Sequence, residues 1–247
     1  MKIIGVIPAR YQSSRLLGKP LVDICGKPMV WWVYQQAKKV GRLSEVYVAT
    51  DDERVQNVCN EYGINVVMTS PEHPSHVHRL YEFSKIVEAD AYVCICGDEP
   101  LIEVDAIEAV IPVSTIPDNI FVCGVMRELA DPAETIDSGN IKIITNNEGI
   151  CIALSRTPIP YPYKTVQFNY RKTIGIECFN KKALEFYCNS EKGFWESVED
   201  IMMLRFIENR IPVHFKLVNS RSLSVDTPKD LEKVRTLMQQ KLERMKD

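Results

Sequence analysis

Residues 2–20 read KIIGVIPARYQSSRLLGKP, and the reading of this stretch decides the fold. Residues 2–7 are a short apolar, β-branched run with the composition of a buried strand. Pro8 is expected to end that strand, because it has no N–H to give a sheet ladder. Behind it comes a loop carrying Arg10, Arg15 and Lys19, with Ser13, Ser14 and Gly18 between them. Fixed cations at the carboxyl end of a strand suit a polyanion, and in an open α/β sheet that edge is where ligands bind. The same pattern also describes an ordinary solvated basic loop. Neither GxxxxGK[ST] nor GxGxxG occurs, so a P-loop ATPase and a dinucleotide-dependent dehydrogenase both lack their sequence signal.

Working outward from this stretch, strands and helices alternate. Val30, Trp31, Val33, Tyr34, Ala37 and Val40 mark one helical face, behind a Pro28 suited to a first turn. Residues 45–50 (EVYVAT) read as a second buried strand, and Asp51-Asp52 caps a helix with apolar positions Val55, Val58, Cys59 and Tyr62. Residues 65–68 read as a third strand, Leu80, Phe83 and Val87 as a further helical stripe, and residues 91–96 (AYVCIC) as a fourth strand. This order predicts a parallel, doubly wound sheet. Further on, residues 120–125, 141–145 and 151–155 are strand-like, and the turn at 146–149 (NNEG) makes the last two a hairpin. Pro158, Pro160 and Pro162 stiffen a loop around Tyr161 and Tyr163. Ser197 with Asp200 resembles a capping box opening a helix to about Asn209. Residues 227–230 (TPKD) cap a last helix with the stripe Leu231, Val234, Met238, Leu242 and Met245.

Composition sets bounds on function. At 247 residues, 45% apolar and 26% charged, the chain suits one α/β domain. A formal charge of −3 argues against broad binding to nucleic acid or an anionic membrane. No run approaches the ~18 apolar residues of a membrane span, and no apolar leader precedes the first strand. The eight cysteines lack CxxC spacing, which fits free thiols in a reducing cytoplasm better than disulfides or zinc.

Two acids stand out. Asp98, in the GDEP of residues 97–100, follows the fourth strand, where Gly97 permits close backbone approach. Asp226 closes the short SLSV segment at 222–225, taken as a strand end, just before the last helix. Two carboxylates from distant parts of a chain can share one Mg²⁺ with phosphate oxygens and water. A turn residue and a helix cap are the simpler reading of the same two positions.

The motifs together carry a family resemblance. IPARYQSSRLLGKPL, the GKPM of 26–29, VATDD of 48–52, CGDEP of 96–100, SRTPIP of 155–160 and VDTPKDLEKV of 225–234 resemble, in order, segments of the 3-deoxy-manno-octulosonate cytidylyltransferase family. The resemblance implies a three-layer α/β/α sandwich around a mostly parallel mixed sheet, of the nucleotide-diphospho-sugar transferase type. It implies one domain over residues 1–247, with about 150–215 as a smaller acceptor and dimerisation lobe, and a cytoplasmic homodimer. The implied reaction is Mg²⁺-dependent transfer of CMP from CTP to an acidic sugar, with loss of pyrophosphate, for surface polysaccharide. Arg10, Arg15 and Lys19 would then be catalytic, and Asp98 and Asp226 would hold the metal. Pro8, Ala9, Arg10, Ser75, Arg79, Cys96 and Gly97 would border the nucleotide. Arg156, Thr173, Met202 and Met203 would border the acceptor, Arg156 gripping a carboxylate or phosphate.

The departures are equally specific. The family's SGT[DE]R is Ser75-His76-Val77-His78-Arg79 here, and at i and i+2 the two histidines would share a strand face, where a metal pair is conceivable. Cys96 replaces a glutamine, Thr173 a sugar-binding histidine, and Met202 and Met203 a Glu-Gln pair. Apolar side chains in place of polar ones leave sugar hydroxyls without partners, which favours a different acid or a phosphorylated acceptor as the alternative. A catalytically silent nucleotide-binding protein is the reading of another class. Phe194, Trp195, Tyr161 and Tyr163 are expected mainly in core packing, with contact between subunits as their other use.

Overall fold

Ile3–Ala9 forms β1, and the rest of the fold is laid down beside it in the computed structural model, which describes residues 1–13 and 16–244. The small antiparallel pair β2 (Asp23–Ile24) and β3 (Lys27–Pro28) leads into α1 (Met29–Ala37). Then follow β4 (Glu45–Thr50), α2 (Glu53–Glu61), β5 (Val66–Met68), α3 (His76–Ile86), β6 (Ala91–Ile95) and α4 (Val104–Ala109). The second half contributes β7 (Val122–Glu128), α5 (Pro132–Ile136), β8 (Lys142–Thr145), β9 (Cys151–Ser155), β10 (Arg171–Asn180) and α6 (Lys181–Asn189). It closes with α7 (Phe194–Glu199), α8 (Met203–Glu208), β11 (Val213–Leu217) and α9 (Pro228–Arg244).

The main sheet runs β11-β7-β10-β6-β1-β4-β5, with the β8–β9 hairpin joined at β10. β1, β4, β5 and β6 are mutually parallel, as the alternation of strands and helices requires. β10 runs antiparallel between β6 and β7, which makes the sheet mixed. Alternation along the strands sorts side chains into two cores. Ile3 and Ile7 of β1 and Val93 and Ile95 of β6 meet α1, α2 and α4 on one face. Ile4 and Val6 of β1 and Tyr92 and Cys94 of β6 meet α3, α6 and α8 on the other. Each buried aliphatic contributes about 1.5–3 kcal/mol, so a one-residue slip of β1 would reverse the whole set. The result is three layers. α9 packs separately, through Leu231, Val234 and Met238, onto Ile24 and Met29.

Several local expectations need correction. β1 continues through Pro8 to Ala9, because its ladder to β6 ends at Val6 and the strand is an edge on that side from there on. β10 and β11 were not foreseen as strands, although β10 lies at the centre of the sheet. The expected lobe at about 150–215 therefore shares its longest strand with the main sheet. The helix expected from Ser197 to Asn209 is two helices, broken where Asp200 adopts φ 51°, and Ser197 lies inside α7, its hydroxyl donating to the Gly193 carbonyl at 2.7 Å. Residues 222–225 form no strand. Tyr161, Tyr163, Phe194 and Trp195 are exposed and take no part in the core. All eight cysteines are free. Among the described residues, no helix is long and apolar enough to cross a membrane. Met245 lies outside the described residues.

Candidate active site

The loop behind β1 is closed by its own backbone. Gly18, at φ 68°, donates its N–H to the Tyr11 carbonyl at 3.0 Å, a conformation that L side chains rarely adopt. Lys19–Leu21 then turn as a single 3-10 coil with Pro20 buried in it, and this fixes the root of the Lys19 side chain. The Lys19 ammonium donates to Asp98 Oδ2 at 2.7 Å and to Asp226 Oδ1 at 3.0 Å. Burial works against the Lys19 charge, but the charge and hydrogen bond of Asp98, with those of Asp226, prevail and raise its pKa above the ordinary lysine value.

Both acids are held from behind. A Cβ on Gly97 would lie 3.0 Å from the Pro8 carbonyl, so this glycine lets the end of β6 press against β1 and deliver Asp98 to the loop. The Val225 N–H donates to the Asp98 carbonyl at 2.8 Å, which ties the segment before α9 to the end of β6. Asp230 then accepts from the Thr227 N–H at 2.9 Å and the Thr227 hydroxyl at 2.8 Å, so α9 is capped immediately behind Asp226. Asp226 is thus placed by a cap and a loop bond rather than by a strand end.

Lys19, Gly97 and Asp98 face a cavity of about 490 Å³ lined also by Pro8, Ala9, Arg10, Gln12, Ser13 and Cys96, among others, with Asp226 reaching its edge through Lys19. Six of the residues predicted around a nucleotide and its phosphates converge here: Pro8, Ala9, Arg10, Lys19, Cys96 and Gly97. Arg15 lies outside the described residues. A second cavity of about 600 Å³ shares Arg10 and His76 with the first, so the two lie side by side. Its walls include Thr173, Met202 and Met203, three of the four residues expected near an acceptor, together with Ser75, which was expected at the nucleotide and lies here instead of in the first cavity.

Arg79 does not reach either cavity. It is fully buried and donates to Asp51 at 2.7 Å and to the Thr69 hydroxyl. Thr69 bonds the Thr50 carbonyl at 3.0 Å, and Thr50 bonds the Ala9 carbonyl at 2.7 Å. Arg79 therefore braces the strand ends beneath the site instead of touching a nucleotide. Arg156 is likewise engaged elsewhere, donating to the carbonyls of Glu199 at 2.6 Å, Ser138 at 2.9 Å and Asp200 at 3.1 Å. It clamps the break between α7 and α8 and does not line the second cavity. His76 and His78 open a helix, where side chains two apart diverge, so they form no pair on one face. His78 Nδ1 meets the Ser75 hydroxyl at 2.8 Å, while His76 turns toward Glu177.

Sequence reading missed Gln12 and Ser13 in the first cavity and Glu177, Glu196 and Arg205 in the second. Glu196 and Arg205 form a buried two-point pair at 2.6 and 2.9 Å, and the Tyr187 hydroxyl adds a bond to Glu196 at 2.9 Å. A helical acid and base nine residues apart, across a break, leave no periodic signal.

Comparison with known proteins decides the family. A family model described as cytidylyltransferase matches residues 4–243. The chain belongs to the cytidylyltransferase family. It is an enzyme of CTP-dependent nucleotidyl transfer by that membership. The 3-deoxy-manno-octulosonate cytidylyltransferase of Escherichia coli is 37% identical over 241 residues, covering 98% of both chains. The mitochondrial 3-deoxy-manno-octulosonate cytidylyltransferase of Arabidopsis thaliana is 35% identical over 97% of this chain and 84% of its own. A solved CMP:2-keto-3-deoxy-manno-octonic acid synthetase complexed with CTP superposes with TM-score 0.92 at 37% identity, over 98% of this chain and 100% of that one. The inositol-1-phosphate CTP transferase of T. maritima, 17% identical with TM-score 0.67 over 96% of this chain and 94% of its own, shares the fold.

The donor set suits a hard divalent cation. Asp98 and Asp226 offer oxygen only, and both already converge on one cationic group, the Lys19 ammonium. One or two carboxylates, completed by phosphate oxygens and water, are what magnesium ordinarily takes.

Proposed function

We propose that the chain transfers the cytidylyl group of CTP to an acidic sugar, 3-deoxy-manno-octulosonate or a relative of it, and releases pyrophosphate. The observation that carries this reading is the convergence of Lys19, Asp98 and Asp226 beside a cavity that shares Arg10 and His76 with a second one. An acceptor hydroxyl in the second cavity attacks the α-phosphorus, and the bond from that phosphorus to the pyrophosphate oxygen breaks. Asp98 and Asp226 would hold Mg²⁺, which when bound draws charge from the phosphates. Lys19 supplies a fixed positive charge where the α-phosphate gains negative charge, and Arg10 receives the outer phosphates. Ala9, pinned through Thr50, presents backbone to the nucleoside end. The chemistry is mainly positioning and charge neutralisation.

Met202 and Met203 favour a second reading in which the acceptor is a different acid or a phosphorylated compound, since both line the second cavity where a sugar's hydroxyls would need partners. Pyrophosphate release from CTP with a panel of acceptors separates the two. The first reading expects the octulosonate to turn over at least as fast as any other acid. Faster turnover of another acid selects the second, and no release with any acceptor leaves a silent nucleotide binder.

Exposed Tyr161, Tyr163, Phe194 and Trp195 support assembly as a homodimer. Sedimentation of the purified protein at twice the monomer mass is the expected result. Eight unpaired cysteines agree with residence in the cytoplasm.

A further inference from the structure

Cys94 of β6 and Glu177 of β10 face each other directly in the antiparallel register. Their side chains therefore stand on one face of the sheet with Cβ atoms roughly 4.5–5.5 Å apart. His76, the first residue of α3, reaches over the pair. One ligand atom from each of His76, Cys94 and Glu177 lies within 4.8 Å of the other two, the one such group of three found among the described residues.

Two of these atoms make no hydrogen bond. His76 Nε2 and Glu177 Oε2 are buried without a hydrogen bond. They stand 3.7 Å apart, beyond hydrogen-bond distance. Buried polar atoms are almost always satisfied, so an orphaned nitrogen and an orphaned oxygen aimed at the same point suggest a third body between them. A thiol sulfur lies beside that point.

We propose that His76, Cys94 and Glu177 form a divalent-cation site, distinct in its residues from Asp98 and Asp226, that takes zinc or a similar borderline-soft ion. The donor set is one imidazole nitrogen, one sulfur and one carboxylate oxygen, all of which zinc accepts at about 2.0–2.3 Å. Magnesium, which favours oxygen alone, is excluded by the sulfur and the imidazole. Coordination releases the Cys94 proton to solvent, because the ligand is the thiolate. Three protein ligands leave a tetrahedral ion one open position. His76 and Glu177 both line the 600 Å³ cavity, and His76 also lines the neighbouring one, so the site borders both. An oxygen-bearing small molecule in that cavity is the fourth ligand this geometry admits.

The test is metal binding by the full chain after chelator treatment and return to neutral buffer. Wild type should retain one zinc per chain through dialysis and show a zinc-dependent rise in melting temperature. Cobalt in its place should give a thiolate-to-cobalt charge-transfer band. His76→Ala and Glu177→Gln should each weaken zinc binding at least tenfold, and Cys94→Ala should also abolish the cobalt band. Cys25→Ala, which removes an exposed thiol elsewhere, should change nothing. Circular dichroism checks that each variant is folded, and His76→Ala, altering a half-exposed helix end, covers the case in which Cys94→Ala is not. No retained zinc in wild type, equal retention in His76→Ala, or a cobalt complex without the sulfur band overturns the proposal.

Discussion

Lys19 and Asp226 are separated by 207 positions in the chain, and their ammonium and carboxylate meet at 3.0 Å. The same ammonium holds Asp98 at 2.7 Å, so one side chain joins the first loop, the end of β6 and the segment before α9. One cation shared in this way holds the two acids close together, which is the arrangement a metal and a polyphosphate both require.

Replacing either acid should separate binding from chemistry. Asp98→Asn and Asp226→Asn keep the shape of the site and remove one negative charge each. We expect turnover with CTP and acceptor to fall by about 10²–10³ while calorimetry still detects CTP, because the lost stabilisation is that of the transition state. Retained turnover in both variants would show that the two carboxylates have no part in the reaction.

Lys19→Met removes the cation between the two acids. The rate should fall by about 3–4 kcal/mol of barrier, the usual effect of losing one preorganised charge donor. Single-turnover kinetics at saturating CTP isolates the chemical step, where the loss should appear.

Glu199 ties the α7–α8 break to β9, accepting from the Ser155 hydroxyl at 2.6 Å and the Arg156 N–H at 2.8 Å. Burial pushes its carboxyl upward, but these hydrogen bonds and the Arg156 and Lys142 charges prevail and lower its pKa from 4.5. A lowered carboxylate contributes stability above its unfolded pKa and loses it as pH falls through the folded value. The melting temperature of wild type should therefore exceed that of Glu199→Gln at neutral pH. The gap should narrow steadily below about pH 4.5. Arg156→Ala should lower stability at neutral pH through the same break.

The pair Glu196–Arg205 offers a measure of stability in the wall of the second cavity. Both residues are almost wholly buried. Glu196→Gln or Arg205→Met alone leaves one charge without its partner in the core and should cost about 3–5 kcal/mol. The double variant should recover part of that, and chemical denaturation of all four proteins gives the coupling directly.

How much of this was legible beforehand depends on how local each signal is. The alternation through β1, β4 and β6, the helix caps at Asp52 and Thr227, and the 146–149 turn are set by neighbours in the chain, and all were read correctly. The strand that replaced a loop at Pro8, the broken α7–α8 and the central β10 escaped because pairing partners from elsewhere settled them. Arg79 and Arg156 looked like ligand contacts because a guanidinium reads the same in sequence whether it meets a phosphate or a carbonyl.

By itself, the sequence determined which backbone segments alternate, which loop carries the cations and which acids can face it, since those follow from periodicity and from side-chain chemistry. Tertiary structure alone decided which cations remain available. Hydrogen-bond donors are finite, and folding assigned those of Arg79 to Asp51 and the Thr69 hydroxyl and those of Arg156 to carbonyls, while it left Lys19 between two carboxylates at the cavity edge.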